Sequence, residues 1–180
     1  MVFEYAMNTA LLKENLRAVP DFPIPGILFW DITTLLKNPA CLKEMDAALL
    51  EQYKDLGITK VVGIESRGFF LAPSLAMHLG AGFVPIRKPG KLPAETVSES
   101  YQKEYGVDTL QIHKDAITPE DVVLVHDDVL ATGGSARAAI DLVKKFGPRK
   151  VYVNFIIELE ALGGRAKLPE DVPMTALLSL

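Results

Sequence analysis

Chemistry is most concentrated in the run Val122-Val123-Leu124-Val125-His126-Asp127-Asp128-Val129-Leu130-Ala131-Thr132-Gly133-Gly134-Ser135. An apolar, β-branched stretch leads into two acids, then a Gly-rich turn, then helix-forming residues. Such a turn captures an anion at a helix N-terminus. Gly133 and Gly134 let backbone N–H groups approach a phosphate, and Thr132 and Ser135 add hydroxyl donors. Asp127 and Asp128 would repel that phosphate. They make sense facing the other end of the ligand, accepting hydrogen bonds from sugar hydroxyls or holding Mg²⁺. A plain strand-to-helix turn with an Asp cap would use the same residues without a ligand. The run lacks the Gly-Lys-Ser/Thr of a P-loop and the Gly-x-Gly-x-x-Gly of a dinucleotide loop.

Two other segments carry cations. Gly63-Ile64-Glu65-Ser66-Arg67-Gly68 follows an apolar run and opens a helical one, repeating the same geometry, and Arg67 offers a planar donor fork suited to phosphate. Arg87-Lys88-Pro89-Gly90-Lys91 ends the next apolar run and adds three cations. Taken alone it is a solvated basic turn. Set beside two carboxylates, it matches a ligand with a polyanionic end and a hydroxylated sugar. The polar stretch from Ser98 to Gly106 reads by itself as wet surface. Residues 22–32 form an apolar loop whose prolines leave backbone groups free. It offers a flat base both apolar faces and edge hydrogen bonds, or else plugs the core at Phe29 and Ile32.

These residues need a scaffold. The 180 residues favour one domain with a sizeable core, and the net charge of −4 gives no basic field for nucleic acid. Cys41 is the only cysteine, so no internal disulfide or multi-cysteine metal site exists, and the three histidines show no ligand spacing. No apolar stretch approaches the roughly 18 residues of a membrane span, and the N-terminus lacks a signal pattern, so the expected location is the cytoplasm. Periodicity predicts a helix over Thr9 to Val19 stopped by Pro20, an irregular loop over 20–26, and a helix from Pro39 to Leu56 closed by Gly57. Short strands follow at 60–64, 83–86, 121–125 and 151–157. They alternate with a helix ending near Gly80 and another over 135–146. This alternation makes the fold class α/β, a mostly parallel sheet covered by helices on both faces. Residues 88–116 read as an inserted β-hairpin with strands at 100–105 and 109–113. In such folds the ligand sits beyond the carboxyl ends of the strands.

The Asp-Asp loop resembles the phosphoribosyl pyrophosphate (PRPP) signature of the type I phosphoribosyltransferases. Its Asp-Asp-x-Leu-Ala-Thr-Gly-Gly form is similar to the adenine phosphoribosyltransferase branch. The resemblance implies that Asp127 and Asp128 hold the ribose hydroxyls and that Ala131, Thr132, Gly133, Gly134 and Ser135 hold the 5′-phosphate. It implies pyrophosphate binding by Glu65, Ser66, Arg67, Gly68, Arg87, Lys88 and Lys91, with a non-proline cis peptide in the first of these loops. Residues 98–106 resemble the family's mobile lid, with Glu104 as the catalytic acid and Arg67 and Tyr105 also catalytic. Residues 1–36 become a helix and a base-covering hood. The resemblance further implies adenine binding by Leu28, Phe29, Trp30, Val129 and Leu159, Mg²⁺ carried with PRPP and open to contact with Asp127 and Asp128, and a homodimer. Its expected substrates and products are adenine, PRPP, AMP and pyrophosphate, with no nucleic-acid or membrane partner expected.

Three positions depart from the family pattern: Trp30 stands where it has a polar residue, His126 where it has an aliphatic one, and Ser135 where it has Thr. A 6-oxopurine needs a donor, commonly a Lys just after the last strand. Residues 158–165 contain Arg165 but no Lys, which favours adenine. The rivals are a phosphoribosyltransferase for xanthine or another 6-oxopurine and a non-enzymatic PRPP sensor. A sensor adds a DNA-binding segment and loses the lid, whereas this chain keeps the lid.

Overall fold

The structure is a computed structural model whose described residues are 6–102 and 106–180. It divides into two compact units, residues 1–52 and 53–180. In the first, α1 (Thr9–Asn15) starts at Asn8, whose Oδ1 accepts the Leu11 N–H at 3.0 Å. It stops four residues short of the predicted Val19. Leu16 turns extended, and β1 (Arg17–Pro20) pairs antiparallel with β2 (Leu28–Asp31). A ladder to a distant segment, with Arg17 held on Asp31 Oδ2, overrides the local helical spacing. The turn between them is irregular, as predicted: the Gly26 N–H donates to Asp21 Oδ1 at 2.7 Å, and Phe22–Pro23 is cis. A short α2 (Thr33–Leu36), unpredicted, leads to α3 (Pro39–Tyr53), which ends before Leu56. Leu12, Leu35, Met45 and Leu49 are fully buried.

In the second unit β3 (Lys60–Ile64) leads into a 3-10 turn at Arg67–Phe69, α4 (Ala72–Leu79) and β4 (Gly82–Ile86). The hairpin β5 (Thr96–Gln102) and β6 (Val107–His113) follows, its strands reaching beyond the predicted runs because the register continues to Thr96↔His113. Then come β7 (Val122–Leu130), α5 (Gly134–Lys144), β8 (Lys150–Glu158), 3-10 turns at Glu160–Leu162 and Gly164–Lys167, and β9 (Met174–Ser179). The sheet has order β4-β3-β7-β8-β9, and every adjacent pair is parallel. Val62, Ile64, Val123, Val125, Val153 and Phe155 pack with Ala139, Ile140 and Val143 of α5 in the main core. Two findings correct the sequence reading. β7 runs on to Leu130 rather than stopping at Val125, so Asp127 and Asp128 belong to a strand. Their backbone is held because β8 pairs with it as far as Glu158. β9, unpredicted, adds a fifth strand, since its alternation was masked by Thr175 and Ser179.

A buried polar chain crosses three of these strands. His126 and Asn154 have no exposed surface, and His126 Nδ1 lies 3.0 Å from Asn154 Oδ1. Asn154 Nδ2 donates to Thr175 Oγ1 at 2.9 Å, and the Tyr53 hydroxyl lies 2.7 Å from the same oxygen. Burial lowers the His126 pKa from 6.5 to about 4, so the imidazole is neutral. The unfolded chain therefore takes up a proton first as the pH falls. The resulting stability is complete above about pH 6.5 and declines towards pH 4, by on the order of 3 kcal/mol. Denaturant midpoints measured across that range should fall accordingly, and His126→Leu should flatten the slope.

Candidate active site

Everything positioned by the carboxyl ends of β3 and β7 converges on one cavity of about 450 Å³. Glu65, Ser66 and Arg67 enter from the turn after β3, Lys88 from the segment after β4, Asp127 and Asp128 from β7, and Ser135 from the first turn of α5. The three chemistry-bearing segments are thus brought together. Tyr101 and Asp108 of the hairpin complete the wall.

The charges are arranged in layers. Arg67 Nε donates to Asp128 Oδ2, whose side chain is 3% exposed. The Arg67 side chain is about half exposed, at 47%. Asp127 Oδ1 accepts the Asp128 N–H at 2.9 Å. Burial, and next the charge of Asp128, push the Asp127 carboxyl well above the usual carboxylate range. Glu65 faces the other way: it accepts Arg87 Nε at 3.2 Å, Arg87 Nη2 at 3.3 Å and the Lys88 N–H at 3.0 Å. The Arg87 bonds, then the Lys88 N–H, hold Glu65 below its ordinary pKa. Arg87 also donates to the Lys91 carbonyl at 3.3 Å. Arg87 is therefore turned towards Glu65, and Lys91 is exposed; neither lines the cavity, whereas Lys88 does. Lys88 Nζ lies 3.2 Å from Asp108 Oδ2, which also accepts the Tyr101 hydroxyl at 3.4 Å. Burial, with Asp108 beside it, raises the Tyr101 pKa to about 12. Sequence spacing gave no sign of Asp108. Only the hairpin register, Tyr101↔Asp108, places it opposite Tyr101.

The turn carrying Arg67 sits close against β7. A Cβ on Gly68 would lie 2.6 Å from the His126 carbonyl oxygen and 3.2 Å from Asp127 Oδ1, so only glycine permits this approach. The Glu65–Ser66 peptide is cis, as the family resemblance implied. At the far side of β7, Gly133 caps α5 with φ 81° and Gly134 begins the helix, leaving early N–H groups without helical partners. Ala131 is half-buried and Thr132 exposed.

Val129 pairs with Ile157, and Leu159 follows β8 with its N–H donating to the Leu130 carbonyl at 2.9 Å. Arg165 Nε donates to the buried Glu158 Oε1 at 2.8 Å, and a second, shorter contact joins Nη2 to Oε2. The one cation between residues 158 and 165 is thereby committed to a carboxylate. In the first unit, Leu28 is half exposed, Trp30 lies on β2 opposite Ala18, and Phe29 meets Phe22 edge to face at 5.2 Å. Glu104 and Tyr105 lie outside the described residues. Among the described residues no group of three or more His, Cys, Asp or Glu side chains could hold a metal, and no helix is long and apolar enough to cross a membrane.

A parallel sheet flanked by helices, with a cavity lined by acids and cations at its carboxyl edge, defines a class. The Phosphoribosyl transferase domain profile matches residues 31–168. The adenine phosphoribosyltransferase of Bacteroides thetaiotaomicron is 62% identical over 174 residues, covering 97% of this chain and 99% of that one. The solved adenine phosphoribosyltransferase of Rhodothermus marinus superposes with a TM-score of 0.89 at 56% identity, covering 95% of this chain and 97% of its own. That of Saccharomyces cerevisiae, complexed with adenine and an imino-altritol bisphosphate, gives 0.88 at 43%, covering 94% and 97%. The chain belongs to the adenine phosphoribosyltransferase branch of the phosphoribosyl transferase family.

Adding a methyl at Gly68 should force the Arg67 turn off β7. Gly68→Ala should cost about 1–3 kcal/mol, read as a lower thermal midpoint.

Proposed function

We propose that the protein transfers the 5-phosphoribosyl group of PRPP to N9 of adenine, releasing pyrophosphate and forming AMP, as a step of purine salvage. The observation that carries this reading is the single cavity uniting Arg67 and Lys88 with Asp127, Asp128 and the N-terminus of α5. A diphosphate, a diol and a phosphomonoester are the three groups those elements suit. The N-terminal turn of α5, with Thr132 and Ser135, takes the 5′-phosphate. Asp127 and Asp128 accept hydrogen bonds from the ribose hydroxyls, and in doing so the raised Asp127 carboxyl gains the partners that favour its charged form. Arg67 and Lys88 stabilise the charge that develops on the leaving pyrophosphate. Glu65 orients the Lys88 backbone through its own hydrogen bond. Adenine N9 bonds to C1′, the bond from C1′ to the pyrophosphate oxygen breaks, and the N9 proton is lost. By the family resemblance, Glu104 would hydrogen-bond or protonate adenine at N7, and Tyr105 is also assigned a catalytic role.

Mg²⁺ fits this donor set. Asp127 and Asp128 at the cavity are hard oxygen donors that would hold the ion together with its substrate. When bound, the ion would supply charge neutralisation on the pyrophosphate. Val129 and Leu159 offer apolar surface for the base. The engagement of Arg165 by Glu158 removes a donor that would favour a 6-oxo group. We also propose a homodimer, supported by Phe70 just before α4, Met77 on α4 and Phe83 on the edge strand β4, which are 47%, 81% and 37% exposed. A cytoplasmic location agrees with a lone buried thiol at Cys41.

Purified protein with PRPP and Mg²⁺, offered adenine, hypoxanthine, guanine and xanthine separately, should form AMP from adenine alone. IMP or GMP would overturn the base assignment. Glu104→Leu should lower turnover by about a hundredfold with little change in the KM for PRPP; full turnover would remove Glu104 from the mechanism.

A further inference from the structure

No side chain separates the phosphate loop from the segment after β8. A Cβ on Gly164 would lie 2.2 Å from the Ala131 carbonyl oxygen and 3.0 Å from the Gly133 nitrogen. A Cβ on Gly133 would lie 2.5 Å from the Gly164 carbonyl oxygen. Two stretches of backbone therefore touch directly. Gly163, with φ 62°, makes the turn; Gly164 is demanded by space and not by its own conformation.

The touching segment is anchored at both ends. On the β8 side, Arg165 is held on Glu158, and the Leu159 N–H reaches the Leu130 carbonyl at 2.9 Å. On the α5 side, Arg137 Nη1 donates to the Lys167 carbonyl at 3.2 Å, and Leu168 is buried in the core with Ala136 and Ile140. The Arg137 N–H in turn donates to the Gly133 carbonyl at 2.9 Å, so the same helix turn ties to both partners. A loop that binds an anion through backbone N–H groups works only if those groups keep their spacing, because each must aim at one small tetrahedral ion.

We propose that residues 159–168 brace the phosphate loop from behind, and that Gly164 is a positioning residue for the 5′-phosphate of the sugar substrate. The inference rests on the reading of residues 131–135 as the phosphate site. Gly164 touches no substrate; it acts through Ala131 and Gly133. The brace is specific to one end of the ligand, since the pyrophosphate end is built from the turn after β3 and the segment after β4.

The test compares Gly164→Ala with a loop variant, Thr132→Ala/Ser135→Ala, by calorimetric titration of ribose 5-phosphate and of pyrophosphate and by steady-state kinetics. Gly164→Ala should weaken ribose 5-phosphate binding and raise the KM for PRPP by about tenfold or more. Its kcat at saturating PRPP should stay within about threefold, and its pyrophosphate affinity should be unchanged. A purely structural role would lower the melting temperature and leave these constants alone. If Gly164→Ala keeps wild-type constants while the loop variant loses ribose 5-phosphate, the brace is wrong and the phosphate site stands. If neither variant shifts them, the phosphate-site reading falls and the brace with it. Should Gly164→Ala fail to fold, Arg165→Gln decides, since it adds no atoms against the loop. A weakening of ribose 5-phosphate by about threefold supports the brace, and an unchanged constant overturns it.

Discussion

Two adjacent carboxylates near the end of a central strand, in a place water reaches poorly, set the terms for everything around them. Burial raises a carboxyl's pKa, and a like charge beside it adds to the effect; Asp127 shows both. The structure answers with Arg67 on Asp128, while Lys88, paired with Asp108, lines the same cavity. A ligand carrying hydroxyls for the acids and phosphates for the cations completes a balance that the protein alone leaves uneven. Carboxylates and cations thus share one cavity, and the proposed substrate carries a group suited to each.

Precision comes from backbone more than from side chains. Gly68 brings the Arg67 turn against the His126 carbonyl, and Gly164 brings the segment after β8 against Ala131 and Gly133. β7 and the loop it feeds are therefore approached closely on two sides, and β3 and β8 hydrogen-bond along the strand itself. Such contacts resist displacement because no rotamer change can absorb a shift; the chain has to move. His126, Asn154 and Thr175 extend the same principle across β7, β8 and β9, linking the strand that carries the acids to the sheet edge by a hydrogen-bonded row.

The hairpin contributes differently. Its partners are exposed or half-buried, as with Lys145 on Glu99 and Lys88 on Asp108. Pairs of this kind are individually weak and screened by salt. Leu110 and Ile112 nevertheless anchor the hairpin in the main core, and it bears Tyr101 and Asp108 into the cavity wall.

Much of this molecule was legible in the amino-acid order. β3 was read at its observed bounds, β8 within one residue at each end, and the alternation of strand and helix defined the sheet, because local pattern and long-range pairing agree there. Asp127, Asp128, Arg67, Lys88 and Ser135 were named from residue type and spacing, since a phosphate loop writes its glycines and hydroxyls consecutively. Other features depended on residues far apart in sequence. Val19 sits in a helical pattern yet forms a strand because residues 28–31 offer it a ladder. β9 exists because β8 needed an edge partner. Arg87 carried the right charge for an anion, but Glu65, 22 positions away, takes its guanidinium. Asp108 had no motif at all. The sequence determined the chemistry available and the order in which it is delivered. Only the tertiary structure decided which charges reach the cavity and which neutralise one another, because electrostatic pairing depends on distances of a few ångströms that spacing along the chain does not encode.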